Sequence, residues 1–331
     1  MRLGDPSMRW TSPASTDIVR DVDGSYLNIS DNEFRRRIRV AYARLAVCDL
    51  CPRRCRARRL AGAVGACGVA LKPRVFVWNV HRGEEPPVSG TRGSGTVFLS
   101  GCNLSCCYCQ NYPLSQLRHG REIPVDDLAD ALMRLQMKGV HNINFVTPSH
   151  QIPQILAGLY RARAKGLHIP VVYNTSSYDD PETLKLLDGV VDIYLADLRY
   201  TSEDAGLALS GISDYVAVAQ SALMEMHRQV GDITVDAQGR YVPRGVIVRY
   251  LILPRHTDMA DAVFGFVRDR LSPQTCVSVM TQYFPAYKAH RRSFGVYRKV
   301  TEREFDAVMK AWDSSGLKNG WVQEPDDNGE A

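Results

Sequence analysis

From residue 96 onward the chain alternates short apolar, β-branched runs with helical stretches, and that alternation is the strongest constraint on its fold. The runs are Thr96–Ser100, Ile143–Thr147, Pro170–Asn174, Asp192–Ala196, Val246–Leu253 and Cys276–Thr281. Between them, the apolar spacing predicts helices over Val125–Lys138, Ile152–Lys165, Pro181–Leu187, Tyr215–Val230 and Asp258–Leu271. A last helix begins at Thr301, where Thr301 and Glu304 match a capping box. Near-continuous apolar strands between helices mean a parallel sheet covered by helices, an α/β fold. Six such units are too few for a closed eight-stranded barrel. A doubly wound sheet and a partial barrel both fit the alternation.

In a parallel α/β barrel, chemistry collects in the loops after the strand C-terminal ends. Polar residues stand at that position in all six units. The first strand runs through Gly101 into Cys102-Asn-Leu-Ser-Cys106-Cys107-Tyr108-Cys109, and Thr147-Pro-Ser-His150 follows the second. Asn174-Thr-Ser-Ser-Tyr178 follows the third, and Asp197-Leu-Arg199 ends the fourth. Arg249 lies within the fifth before Pro254-Arg-His256, and Thr281-Gln-Tyr283 closes the sixth.

The spacing C-x3-C-x2-C puts Cys102, Cys106 and Cys109 in one short loop. Three thiolates hold three irons of a cubane where a fully protein-ligated cluster takes four. The iron left over is an open coordination site, which points to chemistry rather than electron storage. Cys107 is off this spacing and reads as a spare buried thiol; Cys276 reads as core.

A second cysteine group precedes the barrel. Phe34, Ile38, Ala41, Tyr42 and Leu45 recur on one face of a helix over about Glu33–Val47, with Asp31 as a plausible N-cap. The helix delivers Cys48, Cys51, Cys55 and Cys67, spaced C-x2-C-x3-C-x11-C with glycines beside the last. Thiolate-only ligation fits structural zinc or an auxiliary iron–sulfur cluster, and the spacing alone does not choose between them. A strand over Val75–Val80 and a glycine- and proline-rich loop over 83–95 then lead into the barrel.

Nine cysteines in 331 residues, seven of them at ligand spacing in two short stretches, look like metal ligands in a reducing cytoplasm rather than a secreted disulfide framework. The N-terminal residues lack a secretory apolar stretch, and no run approaches the roughly 20 apolar residues that cross a bilayer. Ten arginines lie between Arg35 and Arg59 with Asp49 as the lone acid. No aromatic interleaving or nucleic-acid module accompanies them, so a solvated surface is the expectation and nucleic-acid binding is disfavoured.

These residues resemble the radical S-adenosylmethionine (SAM) superfamily, in particular its pyruvate formate-lyase activating enzyme-like branch and the members with an N-terminal four-cysteine segment. The resemblance rests on Cys102-x3-Cys106-x-Tyr108-Cys109 after a strand, Gln110-Asn-Tyr112, Cys48-x2-Cys51-Pro-x2-Cys55 with Cys67, His141-Asn-Ile-Asn144 with Thr147-Pro-Ser-His150, and the Val277–Ala286 segment. It covers about residues 45 to 312. It implies a partial (β/α)6 barrel with an N-terminal cysteine-rich extension. The divisions are 1–30 as a flexible extension, 31–95 as a helix plus metal-binding segment, 96–313 as the barrel with its C-terminal helix, and 314–331 as a flexible tail.

The resemblance further implies a 4Fe–4S cluster on Cys102, Cys106 and Cys109 and S-adenosyl-L-methionine at the open iron. Reductive cleavage to a 5′-deoxyadenosyl radical and hydrogen abstraction would follow, with activation of a glycyl radical enzyme as one outcome. Modification of another protein, a nucleic acid or a small molecule is the alternative; a non-catalytic zinc or iron–sulfur protein is the competing class. An electron donor such as flavodoxin or ferredoxin is expected, and no membrane. Tyr108 would pack near the adenine, and Asn174, Ser176 and Asp197 would hold the ribose and methionine end. Arg249 would meet the methionine carboxylate, a bidentate task suited to guanidinium, while Asp197 and Arg199 could instead line the substrate pocket. Many members carry Gly-Gly-Glu after the second strand; here Thr147-Pro148-Ser149-His150 stands there, so Thr147 and backbone carbonyls are the candidates for that contact. His141, before the second strand, reads as structural; His150, on the catalytic rim, reads equally as structural or functional. Met224 and Met226 read as core fillers.

Overall fold

All six runs form parallel strands, because each is apolar on both faces and is followed by a stretch that covers one of them. The computed structural model describes residues 18–323. The barrel strands are Ser94–Leu99, Ile143–Val146, Val171–Thr175, Ile193–Asp197, Gly245–Leu251 and Cys276–Met280, called first to sixth below. Each pairs in parallel with the next, with registers such as Val146 opposite Asn174 and Asp197 opposite Arg249. The sheet stays open. Arg74–His81 adds to the first strand in antiparallel fashion, and Gly320–Gln323 adds to the sixth in parallel. The architecture is thus a partial barrel rather than a doubly wound sheet.

Val125–Met137, Ile152–Ala164 and Tyr215–Val230 are helices within a residue of their expected ends, and the Thr301 capping box opens Glu302–Ser314. The last unit is less regular: Thr257–Met259 is a 3-10 turn, Ala260–Phe266 is α, and Val267–Leu271 is a π turn. The first helix spans Asp31–Ala43, and Ser30, not Asp31, caps it by accepting from the Glu33 N–H. Asp31 instead binds Arg35 and Arg163. A helix at Glu203–Ser210, absent from the periodicity reading, follows the fourth strand. No single helix among the described residues is long and apolar enough to cross a membrane.

Side chains two apart on a strand share a face. Val172, Ile193, Leu195, Ile247 and Cys276 therefore line the same inner surface as Asn174, Asp197 and Arg249, and they pack with Val88 and Trp321 as an apolar floor. Val88 comes from the loop before the first strand, whose short helix Pro86–Ser89 plugs the open bottom and accepts a bond from Asn142 at the Val88 carbonyl (2.7 Å). Cys276 is fully buried in this floor, as expected.

Two expected boundaries are corrected. Residues 18–30 are not a loose extension: Tyr26 is fully buried, Val19 bridges to Tyr241, and Ser25 donates through N and Oγ to Asp192 (3.0 and 2.6 Å). Asp192 also caps the start of the third strand through Val171 N, so this segment closes a polar bracket between neighbouring strands. Residues 314–331 are not wholly a tail either, since Gly320–Gln323 is a sheet strand with Trp321 in the floor. The remainder of both segments, 1–17 and 324–331, lies outside the described residues.

Candidate metal centre and its cavity

Gly101 sets the direction of the cysteine loop. Its φ of 84° is left-handed, and a Cβ there would stand 2.2 Å from the Cys67 carbonyl oxygen, so only glycine makes this turn. The loop beyond is held from the side by the helix Glu203–Ser210, whose Ser210 and Leu209 carbonyls accept from Ser105 N (3.1 Å) and Cys107 N (2.8 Å). Cys102, Cys106 and Cys109 line one cavity of about 310 Å3. Cys107 is buried and outside that lining, consistent with a spare thiol.

Each of the three thiols has a donor or hydroxyl placed on its sulfur. Leu104 N donates to Cys102 Sγ at 3.3 Å; Ser115 Oγ lies 3.1 Å from Cys109 Sγ; Ser210 Oγ lies 3.0 Å from Cys106 Sγ, and Arg199 Nη1 donates to it at 3.1 Å. Burial, then the neighbouring Cys106, pushes the Cys102 thiol up to about 12, and the same two causes raise Cys109. A cation beside Cys102 and Cys109 would offset this cost, and the donors on their sulfurs favour the thiolate form. Among the described residues no three His, Cys, Asp or Glu side chains stand in ready-made geometry for a single metal ion. A cubane presents three separate irons, so its ligands need not converge on one point. The donor set and the cavity fit such a cluster.

The cavity continues past the thiols onto the strand ends. Thr147, Asn174, Ser176, Asp197 and Arg249 all line it, so five of the six residues expected around a cofactor are brought together. Asp197 and Arg249 also line an adjoining cavity of about 200 Å3, where the sixth, Tyr108, is found. Tyr108 is 4% exposed; its ring meets Tyr283 edge-on and its hydroxyl pairs with Tyr200 at 2.5 Å. Thr147 and Ser177 have φ of 59° and 61°, strained values for non-glycine residues and a common mark of functional rims.

Charge is concentrated at the junction of the two cavities. Arg249 donates Nε to Asp197 (2.8 Å) and Nη2 to Asn174 (2.8 Å), and Nη1 lies 3.5 Å from Glu84. A guanidinium has five N–H groups, so this leaves two for a ligand carboxylate. Arg199 grips the other Asp197 oxygen at 2.7 Å. Burial would raise Asp197, but Arg249 and Arg199 outweigh it and hold the carboxyl below its usual range. The reverse holds below: burial outweighs Arg249 at Glu84, and pushes Glu85 up to about 7.

Glu84 was not legible as a site residue. It enters from the bottom plug and accepts from Asn144 (3.0 Å) and Asn174 (3.3 Å) inside the barrel. Ser210, which ends the helix Glu203–Ser210, and Tyr200, which precedes that helix, carry no periodic signal; they extend a hydroxyl chain from Cys106 to Tyr108. His150 is resolved as structural: it is 1% exposed and outside both cavities, with Nε2 2.9 Å from the Ser100 carbonyl. His141 is buried beside Arg92, away from the catalytic rim.

The second group, Cys48, Cys51, Cys55 and Cys67, lies outside the barrel against the outer side of the cysteine loop, with Cys67 touching Gly101. None of the nine cysteines is in a disulfide.

Residues 96–224 match the family model of the Radical SAM superfamily. The chain is 27% identical over 308 residues to the Uncharacterized protein MJ0674 of Methanocaldococcus jannaschii, covering 88% of this chain and 84% of that protein. Among solved structures it is similar to HydG, a maturase of the FeFe-hydrogenase, with TM-score 0.50 and 13% identity over 91% of this chain and 59% of that one. Streptococcus suis SuiB gives TM-score 0.46 and 12% identity over 69% of this chain and 48% of its own. The chain thus spans about half to three-fifths of the length of these two structures, and the likeness to HydG is one of fold. The matched span, residues 96–224, contains the first-strand loop that brings three thiols to one cavity, so the site lies inside the region similar to the Radical SAM superfamily.

Proposed function

We propose that the protein is a radical SAM enzyme, with a 4Fe–4S cluster on Cys102, Cys106 and Cys109 and S-adenosylmethionine in the adjoining cavity. When bound, this pair supplies one-electron reductive cleavage of the sulfonium to methionine and a 5′-deoxyadenosyl radical that takes hydrogen from a substrate. The observation that carries the reading is the three-thiol cavity opening onto Asn174, Asp197 and Arg249.

The chain's own part is binding, orientation and shielding. Arg249 has two free N–H donors for a carboxylate and is held rigid by Asp197, Asn174 and Glu84. Asp197, kept ionised by two guanidiniums, is an acceptor for hydroxyl or ammonium groups. Leu104 N, Ser115 and Ser210 would hydrogen-bond the thiolates, and the Arg199 guanidinium would offset charge at Cys106. Leu251 and Met280 give the second cavity an apolar wall, which suits a reaction that must exclude water.

Within that chemistry, activation of a glycyl radical partner is the finer reading supported by the resemblance, with modification of another protein, nucleic acid or small molecule as the alternative. Exposed Lys288, Arg291 and Arg292 favour an acidic macromolecule at the mouth, either protein substrate or a flavodoxin- or ferredoxin-like donor. That segment is tied to the cysteine loop by Lys288 N to the Cys107 carbonyl (2.9 Å). The test is anaerobic reconstitution with iron and sulfide, then chromatography of 5′-deoxyadenosine after addition of S-adenosylmethionine and dithionite. Wild-type protein should release it, and Cys102→Ala, Cys106→Ala or Cys109→Ala should each abolish release. A fully reconstituted wild-type cluster that yields none would return the chain to the non-catalytic class.

A further inference from the structure

The thiols at Cys48, Cys51, Cys55 and Cys67 are used by nothing described so far, yet the chain folds tightly around them. Three are buried and the fourth half-buried. A Cβ placed on Gly65 would lie 3.3 Å from Cys67 Sγ and 3.5 Å from Cys55 Sγ, so those two sulfurs face one backbone point. Cys48 lies within electrostatic reach of Cys67 and beside Cys55, and Cys51 is within reach of all three.

The backbone around them is built as a knuckle. Arg54 N returns to the Cys51 carbonyl and Arg56 N to the Cys48 carbonyl, both at 2.9 Å. Arg54 and Arg56 accept φ of 39° and 60° to do so, a strain that arginine has no local reason to carry. The result brings the backbone of Arg53 near Cys51, of Ala57 and Ala66 near Cys55, and of Val69 near Cys67, where thiolate sulfurs would find N–H donors. Protonated thiols are poor acceptors, whereas metal-bound thiolates take such bonds readily.

The independent observation is Arg59. It is 1% exposed, its Nη1 lies 3.7 Å from Cys48 Sγ, and its buried Nη2 has no hydrogen-bond partner. Its other bonds go to the Ala70 and His150 carbonyls (both 3.0 Å), and no carboxylate pairs with it. A buried, unpaired guanidinium costs several kcal/mol unless anionic charge stands beside it. Four thiolates around a divalent ion or a 4Fe–4S core carry a net charge of about −2, which supplies it.

We propose that Cys48, Cys51, Cys55 and Cys67 hold a thiophilic metal centre, charge-balanced by Arg59, that clasps the Cys102–Cys109 loop from outside the barrel. Among the described residues the four sulfurs do not already converge on one ion, so binding displaces the thiol protons and draws them together by changes of χ1 rotamer. The clasp follows from three links to the residues flanking Cys102. The Cys67 carbonyl abuts Gly101. Arg53 Nε donates to the Asn103 carbonyl at 2.8 Å. Arg59 bonds the His150 carbonyl, and His150 bonds Ser100 at 2.9 Å.

This inference is independent of the radical reading, and the test keeps them apart by using a full-length chain with Cys102, Cys106 and Cys109 all changed to Ala. Elemental and acid-labile sulfide analysis of that protein should find about one zinc without sulfide, or about four irons with matching sulfide; either supports the centre and names its metal. Further Cys51→Ser and Cys67→Ser changes should remove it, and Arg59→Leu should speed its loss to a chelator at least about tenfold, with Arg59→Lys intermediate. A folded chain that carries neither metal after exposure to zinc or to iron and sulfide, with all four thiols reacting promptly with a thiol reagent, overturns the proposal. Hydrogen exchange reads the clasp: amides of residues 100–104 should exchange faster in the metal-stripped protein, and unchanged exchange overturns that role.

Discussion

Arg199 offers the sharpest quantitative test of the proposed site, because it joins Asp197 to the sulfur of Cys106, a proposed cluster ligand. Its Nη1 lies 3.1 Å from Cys106 Sγ while Nε and Nη2 hold Asp197 at 3.2 and 2.7 Å. A unit charge at that distance interacts with another by about 5 kcal/mol at an effective dielectric of about 20. If about a quarter of the added electron resides at this sulfur, the reduced cluster gains about 1.4 kcal/mol, which is about 60 mV for a one-electron couple. Arg199→Gln should therefore move the midpoint potential about 60 mV more negative, read by anaerobic potentiometric titration of the reduced-cluster EPR signal. Ser210→Ala removes a neutral hydroxyl 3.0 Å from the same sulfur and should give a smaller shift of the same sign. A potential that is unchanged or more positive in Arg199→Gln, with iron content intact, refutes the electrostatic role. It would leave Arg199 as a partner of Asp197 alone.

Three further outcomes follow from single positions. Gly101→Ala should destabilise the fold by about 3 kcal/mol or more and lower iron content, since a Cβ there meets the Cys67 carbonyl at 2.2 Å in a left-handed turn; denaturant melts and iron analysis check both. Tyr26→Phe should leave stability unchanged or raise it by about 1 kcal/mol, because the buried Tyr26 hydroxyl has no partner to lose. Burial lowers His150 to about 4 from 6.5, so its contribution is full above pH 6.5 and is lost as pH falls toward 4, in all about 3 kcal/mol. Urea midpoints at pH 7.5 and 5 should drop less in His150→Asn than in the native chain.

The barrel was legible because its signal is periodic. Each strand is buried on both faces, so its apolar run stands out, and the residues that follow it fall on one rim whatever their identity. Cys102, Cys106, Cys109, Thr147, Asn174, Ser176, Asp197 and Arg249 were all reached that way, and all line one cavity. The end segments failed for the complementary reason. Residues 18–30 and 320–323 are ordered by single long-range contacts, Ser25 with Asp192 and Trp321 with the barrel floor, and such contacts leave no local pattern.

The missed site residues share a more specific cause, and it bears on how the site works. Glu84 comes from the bottom plug, Ser210 and Tyr200 from the helix Glu203–Ser210 and its approach, and Arg59 from the cysteine-rich segment. None belongs to a strand end, so the barrel pattern could not index them. They also do similar work: Glu84 fixes Asn174 and Arg249, Ser210 meets Cys106, and Arg59 reaches the His150 carbonyl behind the cysteine loop. The six units supply most of the groups that face the cavity, while the segments between and before them supply groups that hold those in place, Glu84 doing both. Catalytic groups must be kept within fractions of an ångström by their supports. On that division, change of chemistry among relatives of this fold should be sought on the rim, and change of redox tuning or rigidity in the plug, the extra helix and the cysteine clasp.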